Sequence, residues 1–115
     1  MNTLLVVEDE KLIRQGIVAM IRRSSVPVEE ILECRNGEEA LEILRKQRVD
    51  VMFTDIRMPK MDGIEMLKEL RAEGNDVSVI FLTAYSDFSY AQSALKLFAS
   101  DYLLKPFGTE SWSRQ

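Results

Sequence analysis

Histidine is absent from the chain, and cysteine occurs once, as Cys34. Without histidine there is no Ser-His-Asp or Cys-His catalytic group and no usual zinc ligand, and any phosphohistidine chemistry must be brought by another molecule. A lone cysteine excludes an intrachain disulfide and a cysteine-rich metal site, which agrees with a reducing compartment; Cys34 reads as a small buried hydrophobe. No window approaches the ~20 apolar residues of a membrane helix. The start, "MNTLLVVEDE", turns acidic after four apolar residues and lacks the basic opening and longer apolar core of a signal peptide. A cytoplasmic location is expected. Positive charge is in deficit as well: 15 Lys and Arg against 19 Asp and Glu leave a net charge of −4, which disfavours direct binding of nucleic acid, because phosphate backbones are held by Lys and Arg.

Internal repeats, low-complexity tracts and linkers are also missing, so 115 residues imply one domain with a single core. Two kinds of segment alternate within it. Apolar or β-branched runs of strand length occur at 3–7, 29–34, 49–54, 77–82 and 101–104. Helical spacing marks the stretches between: Leu12, Ile13, Ile17, Met20 and Ile21; Ala40, Leu41, Ile43 and Leu44; Ile64, Leu67 and Leu70; Phe88, Ala91, Leu95 and Phe98. Asn36 with Glu39 and Asp62 with Glu65 have the spacing of reciprocal helix caps, and Gly74 with Asn75 ends the third helix. Strict alternation predicts an α/β fold, a doubly wound five-stranded parallel sheet with helices on both faces. The first, third and fourth strands are nearly unbroken in apolar character and belong in its centre. The second, with three glutamates in 29–33, reads as an edge.

Ligands of such sheets bind outside the carboxyl ends of the strands. The first strand ends on Glu8, Asp9 and Glu10, the third on Asp55, the fourth on Thr83 and the fifth on Lys105. Each has an ordinary reading: a turn aspartate, a solvated helix start, a strand threonine, a surface lysine. Together they pose an electrostatic problem, since carboxylates about 4 Å apart repel by about 4 kcal/mol per pair at an effective dielectric near 20. A divalent cation answers it, and hard oxygen donors without histidine or cysteine favour Mg²⁺, with Mn²⁺ as the substitute. A carboxylate beside such an ion can act as nucleophile toward a phosphoryl group, with a lysine and a hydroxyl stabilising the phosphoryl oxygens. On this reading Asp55 is the acceptor, and Thr83 and Lys105 are the supporting groups.

The segments "VVEDE", "DIRMPKMDG", "LTAY" and "DYLLKPF" resemble, in order and spacing, the receiver domain of two-component response regulators, over about Leu4 to Phe107. The resemblance implies the flavodoxin-like receiver fold with strand order 2-1-3-4-5. It implies that Asp55 takes a phosphoryl group from a partner histidine kinase, with Glu8, Asp9, Asp55 and the backbone carbonyl of Arg57 around Mg²⁺. Thr83 is then the switch hydroxyl, Lys105 the phosphate-binding lysine, and Tyr102 either the aromatic that changes rotamer on activation or an aromatic at the edge of the core. Such a domain is not an enzyme beyond its own phosphorylation and dephosphorylation; it switches conformation to control an output domain, here a transcriptional one. The stretch "AYSDFSYAQSALKLFASDYLLKPF" is most similar to receivers joined to AraC-type DNA-binding domains.

Alternatives are weaker. A phosphatase of the haloacid dehalogenase type resembles a DxD pattern, and Arg57 occupies its second acidic place. A nucleotide or flavin domain shows a glycine-rich first turn where this chain has "VVEDE". A receiver that acts as an adapter without phosphorylation usually loses the acceptor or the lysine, and both are present. One departure remains. After the receiver (1–107), the tail 108–115, "GTESWSRQ", lacks the apolar stripe of a fifth helix and reads as truncated or altered. Apolar surface left beside the first helix is expected to drive self-association as a homodimer or to recruit a covering segment, with Trp112 packed there.

Overall fold

Leu4, Leu5, Val6 and Val7 are all buried, and their alternation assigns them to two different cores. The computed structural model describes residues 3–25, 27–56, 61–84 and 101–105. Within these, strands β1 (Thr3–Val7), β2 (Glu30–Cys34), β3 (Val51–Asp55), β4 (Ser78–Ala84) and β5 (Asp101–Lys105) alternate with helices α1 (Lys11–Arg23), α2 (Gly37–Lys46) and α3 (Gly63–Ala72). The strands form one parallel sheet in the order β2-β1-β3-β4-β5, as expected. The stretch expected to form the fourth helix and the tail with Trp112 lie outside the described residues.

The strand period of two divides the apolar side chains between the faces. Leu5, Val7, Met52, Val79 and Phe81 pack under α2 and α3 with Leu41, Leu44, Leu67 and Leu70. Leu4, Val6, Phe53, Ile80 and Leu82 meet Ile17 and Ile21 of α1. Each fully buried Leu, Val or Phe contributes about 1.5–3 kcal/mol relative to exposure, so these two layers carry the stability of the sheet. Strand β2 is the edge, and only Cys34 of its five residues is buried.

Of the two expected reciprocal caps, one forms in full and one in half. Asp62 and Glu65 form the full reciprocal cap at α3, with bonds of 2.8 and 3.1 Å. At α2, Asn36 accepts from the Glu39 amide at 2.9 Å, but the Glu39 carboxylate accepts from the amide and guanidinium of Arg35 instead of from Asn36. The competing cation one residue upstream captures the second half of the cap. Leu12 departs too: it is 82% exposed. Five residues before Ile17, it lies about 140° around the helix from the buried stripe, so it belongs to the outer face. Helix α3 ends as expected, with Gly74 at φ 80° and the amides of Gly74 and Asn75 donating to the carbonyls of Arg71 and Leu70.

The amino-terminal ends of β1 and β3 are tied by Asp50, whose own amide donates to the Thr3 carbonyl while its Oδ2 accepts from the Thr3 amide at 2.8 Å. The bond donated by the Thr3 amide to this carboxylate, with Arg48 assisting, holds the Asp50 carboxyl below its usual range. A carboxyl with a depressed folded-state pKa contributes stability above its unfolded value, near 4, and loses it as pH falls through the folded value. The stability difference between the wild type and Asp50→Asn is therefore expected to shrink in urea titrations below about pH 4. Cys34 is buried, and desolvation, with Glu39 adding to it, pushes its thiol up to about 12. Iodoacetamide at neutral pH is expected to leave the native chain unlabelled and to modify it in urea. No helix among the described residues is long and apolar enough to cross a membrane.

Candidate functional site

Strands β1 and β3 are direct neighbours with Val7 opposite Thr54, so the residues that follow them, Glu8 and Asp55, emerge side by side at the carboxyl edge. Glu8, Asp9 and Asp55 each place a carboxylate oxygen within 4.8 Å of the others. Their settings differ: Glu8 is buried at 1% exposure, Asp9 is exposed and Asp55 is intermediate. The strand pattern explains this, because β1 is central and carries its burial one residue past Val7 before α1 turns the chain outward at Glu10.

Both ends of the acid loop are held. The Glu8 amide donates to the Cys34 carbonyl at 3.1 Å, and Glu8 Oε2 accepts from the Glu10 amide at 3.2 Å. On β3, Asp55 Oδ1 accepts from the Ile56 amide at 2.9 Å, and the Asp55 carbonyl accepts from the Thr54 hydroxyl at 2.9 Å. The Gly63 amide donates to the Ile56 carbonyl at 2.7 Å, which seats the first turn of α3 against the acceptor strand. A Cβ on Gly63 would stand 2.6 Å from the Asp55 carbonyl oxygen and 2.8 Å from the Phe81 ring.

The donor set suits a hard cation. An octahedral Mg²⁺ with ligands at about 2.1 Å spans about 4.2 Å between opposite oxygens, so a 4.8 Å cluster is within reach of one partly hydrated ion. At that spacing each carboxylate pair repels by about 3 kcal/mol at an effective dielectric near 20, which a divalent ion would offset. The remaining expected residues fall as follows. Asp55 is in register with Leu82 of β4, which places Thr83 one residue further along the same edge. Thr83 pairs with Leu104 and Ala84 with Lys105, so the backbones of Thr83 and Lys105 also lie at the carboxyl ends of adjacent strands. Tyr102 is on β5 in register with Phe81. Arg57 lies outside the described residues.

Two residues in contact with the acidic edge, Arg14 through the Glu8 carbonyl and Gly63 through Asp55, carry no mark of it in the sequence. Arg14 is one of 15 basic residues, and its partners are 6 and 19 positions away, so no local spacing marks it. Gly63 enters the sequence reading only as the last residue of the "DIRMPKMDG" segment, with no role of its own, although glycine beside a strand end is a signal for close backbone approach.

Comparison with known proteins agrees with this geometry. The response regulator receiver domain family matches residues 4–113. The chain belongs to that family, the phosphoacceptor signalling module of two-component systems. It is 38% identical over 107 residues to an uncharacterized response regulatory protein of Vibrio cholerae, covering 93% of this chain and 40% of that protein. An uncharacterized transcriptional regulatory protein of Bacillus subtilis, YesN, is 35% identical over 106 residues, covering 92% of this chain and 29% of that protein. The chain thus spans less than half the length of either relative. Among solved structures, a response regulator receiver domain protein from Clostridium thermocellum superposes with a TM-score of 0.87 at 31% identity, over 99% of this chain and 90% of that one. A two component transcriptional regulator AraC from Clostridium phytofermentans gives 0.83 at 36% identity, over 97% and 87%.

Proposed function

We propose that the chain accepts a phosphoryl group on Asp55 from a phosphohistidine of a partner histidine kinase, and that the modified edge changes the surface offered to an output domain. The observation that carries this reading is the convergence of Glu8, Asp9 and Asp55 at one carboxyl edge. In the transfer an Asp55 carboxylate oxygen forms the new P–O bond as the P–N bond to the donor imidazole breaks, and the leaving ring nitrogen takes up a proton. Glu8 and Asp9, with Asp55 itself and the Arg57 carbonyl, would hold the Mg²⁺, for which Mn²⁺ can stand in. When bound, that ion neutralises the charge shared between the carboxylates and the phosphoryl oxygens. The chain's own groups do the rest. The Ile56 amide orients the acceptor through Oδ1, while Thr83 and Lys105 are the residue types required to take the phosphoryl oxygens.

The added group brings about two negative charges to the edge, and drawing Thr83 and Lys105 toward it biases β4 and β5 between two arrangements, with Tyr102 following. The output is transcriptional on this reading, because relatives named as transcriptional regulators are more than twice as long as the stretch they share with this chain. The domain turns over no external substrate, binds no nucleic acid itself and works in the cytoplasm. Intact-mass measurement after incubation with acetyl phosphate and Mg²⁺ is expected to show one added phosphoryl group, and none in EDTA. An unchanged mass with Mg²⁺ present, or labelling that ignores EDTA, would contradict the reading.

A further inference from the structure

Between the carboxylates of Glu8 and Asp9 there is a single peptide plane. A trans peptide is rigid, so the angle between two successive side chains is set by the ψ of the first residue and the φ of the second. The oxygen of this plane, the Glu8 carbonyl, accepts a 2.8 Å bond from Arg14 Nη1. The same guanidinium donates through Nε to Glu33 Oε1 at 3.1 Å, and the Arg14 side chain is only 14% exposed. The preceding plane is held too, since the Glu8 amide donates to Cys34. Both planes flanking the Glu8 Cα are therefore anchored to β2, one directly and one through Arg14.

We infer that Arg14 is a positioning residue for the phosphorylation site: it pins the Glu8–Asp9 peptide to the Glu33 side chain of β2 and thereby sets the mutual direction of the two metal-holding carboxylates. The inference rests on the proposed role of Glu8 and Asp9. Its chemistry requires arginine. A planar guanidinium offers donors on two edges in fixed geometry, whereas a lysine ammonium keeps the charge but is a flexible point donor that cannot hold both acceptors in that fork. Outer groups that orient metal ligands typically alter metal affinity by about 10- to 100-fold when removed.

The test compares full-length wild type, Arg14→Lys, Arg14→Gln and Glu33→Gln. Mn²⁺ binding is followed by the electron paramagnetic resonance signal of the free ion, in about 0.5 M salt so that the charge change at exposed position 33 is screened. Thermal midpoints are recorded in parallel, and acetyl phosphate labelling is measured across a range of Mg²⁺ concentrations. Arg14→Lys is expected to bind Mn²⁺ about 10-fold more weakly and to need correspondingly more Mg²⁺ for half-maximal labelling, while reaching the wild-type extent at saturation. Glu33→Gln should shift both quantities in the same direction by less. A lowered thermal midpoint with unchanged Mn²⁺ affinity in both variants would reduce Arg14 to a structural strut and overturn the inference. Tighter binding in Arg14→Gln with a wild-type Arg14→Lys would overturn it differently, by showing an effect of charge alone. If the wild type neither binds Mn²⁺ nor is labelled, the site reading itself has failed. Labelled wild type with indifferent variants leaves the site reading standing and removes only Arg14.

Discussion

Asp55→Asn is expected to abolish the phosphoryl group gained from acetyl phosphate while leaving the fold unchanged. An amide oxygen is a poor nucleophile and carries no charge to pair with a cation, so both the bond-forming step and one ligand are lost together. The fold survives because the bond that orients residue 55 is made to Oδ1 by the Ile56 amide at 2.9 Å, and an asparagine Oδ1 accepts it equally well. Asparagine also relieves part of the repulsion among three acids clustered within 4.8 Å, worth about 3 kcal/mol per pair at full charge and an effective dielectric near 20. Urea denaturation is therefore expected to find the variant at least as stable as the wild type, with intact mass showing no adduct. A variant that is still labelled would move the acceptor elsewhere.

Gly63→Ala should be the most damaging single methyl group near the site. Its Cβ would sit 2.6 Å from the Asp55 carbonyl and 2.8 Å from Phe81 Cε1. Neither neighbour yields easily: the first is strand backbone already bonded to Thr54, and the second is an aromatic ring with no exposed surface. Overpacking of this kind costs about 1–3 kcal/mol, here toward the upper end, against about 1 kcal/mol gained from better helix propensity. The net loss of about 2 kcal/mol should lower the thermal midpoint by about 8 °C and slow labelling, because the displaced element is the one that carries Asp55. Gly16→Ala is the matched control. Nothing lies within 4 Å of its Cβ position in α1, so the propensity gain of about 1 kcal/mol should appear unopposed.

Legibility in the sequence depended on whether a repeating pattern or a single contact decided the outcome. Strand β1 was plain because four consecutive apolar residues bury on both faces of a parallel sheet, and the same logic placed β3 and β4 with it in the centre and β2 at the edge. The acids were legible because strand ends in such a sheet share one rim, so Glu8 and Asp55 could be paired across 47 positions without knowing any contact. Choices between competing partners were not. Which donor the Glu39 carboxylate takes was decided by the Arg35 guanidinium and amide, a competition that cap spacing does not encode. Leu12 was assigned to a helix correctly, yet its 82% exposure follows from the rotation of α1 about its axis, fixed by where Ile17 and Ile21 meet Phe53 and Leu82. Arg14 shows the limit most clearly, since its importance lies in two partners brought to it by β1 and β2.

The central claim is that Asp55, and no other residue, carries the phosphoryl group at the acidic edge. Borohydride reduction of the acetyl phosphate-treated protein, followed by peptide mapping, tests it most directly, because hydride converts an aspartyl phosphate to homoserine and leaves phosphoserine and phosphothreonine intact. Homoserine at position 55, dependent on Mg²⁺ and absent without acetyl phosphate, is the predicted result. Homoserine at another aspartate, or a phosphoryl group that survives reduction on a hydroxyl residue, would contradict it.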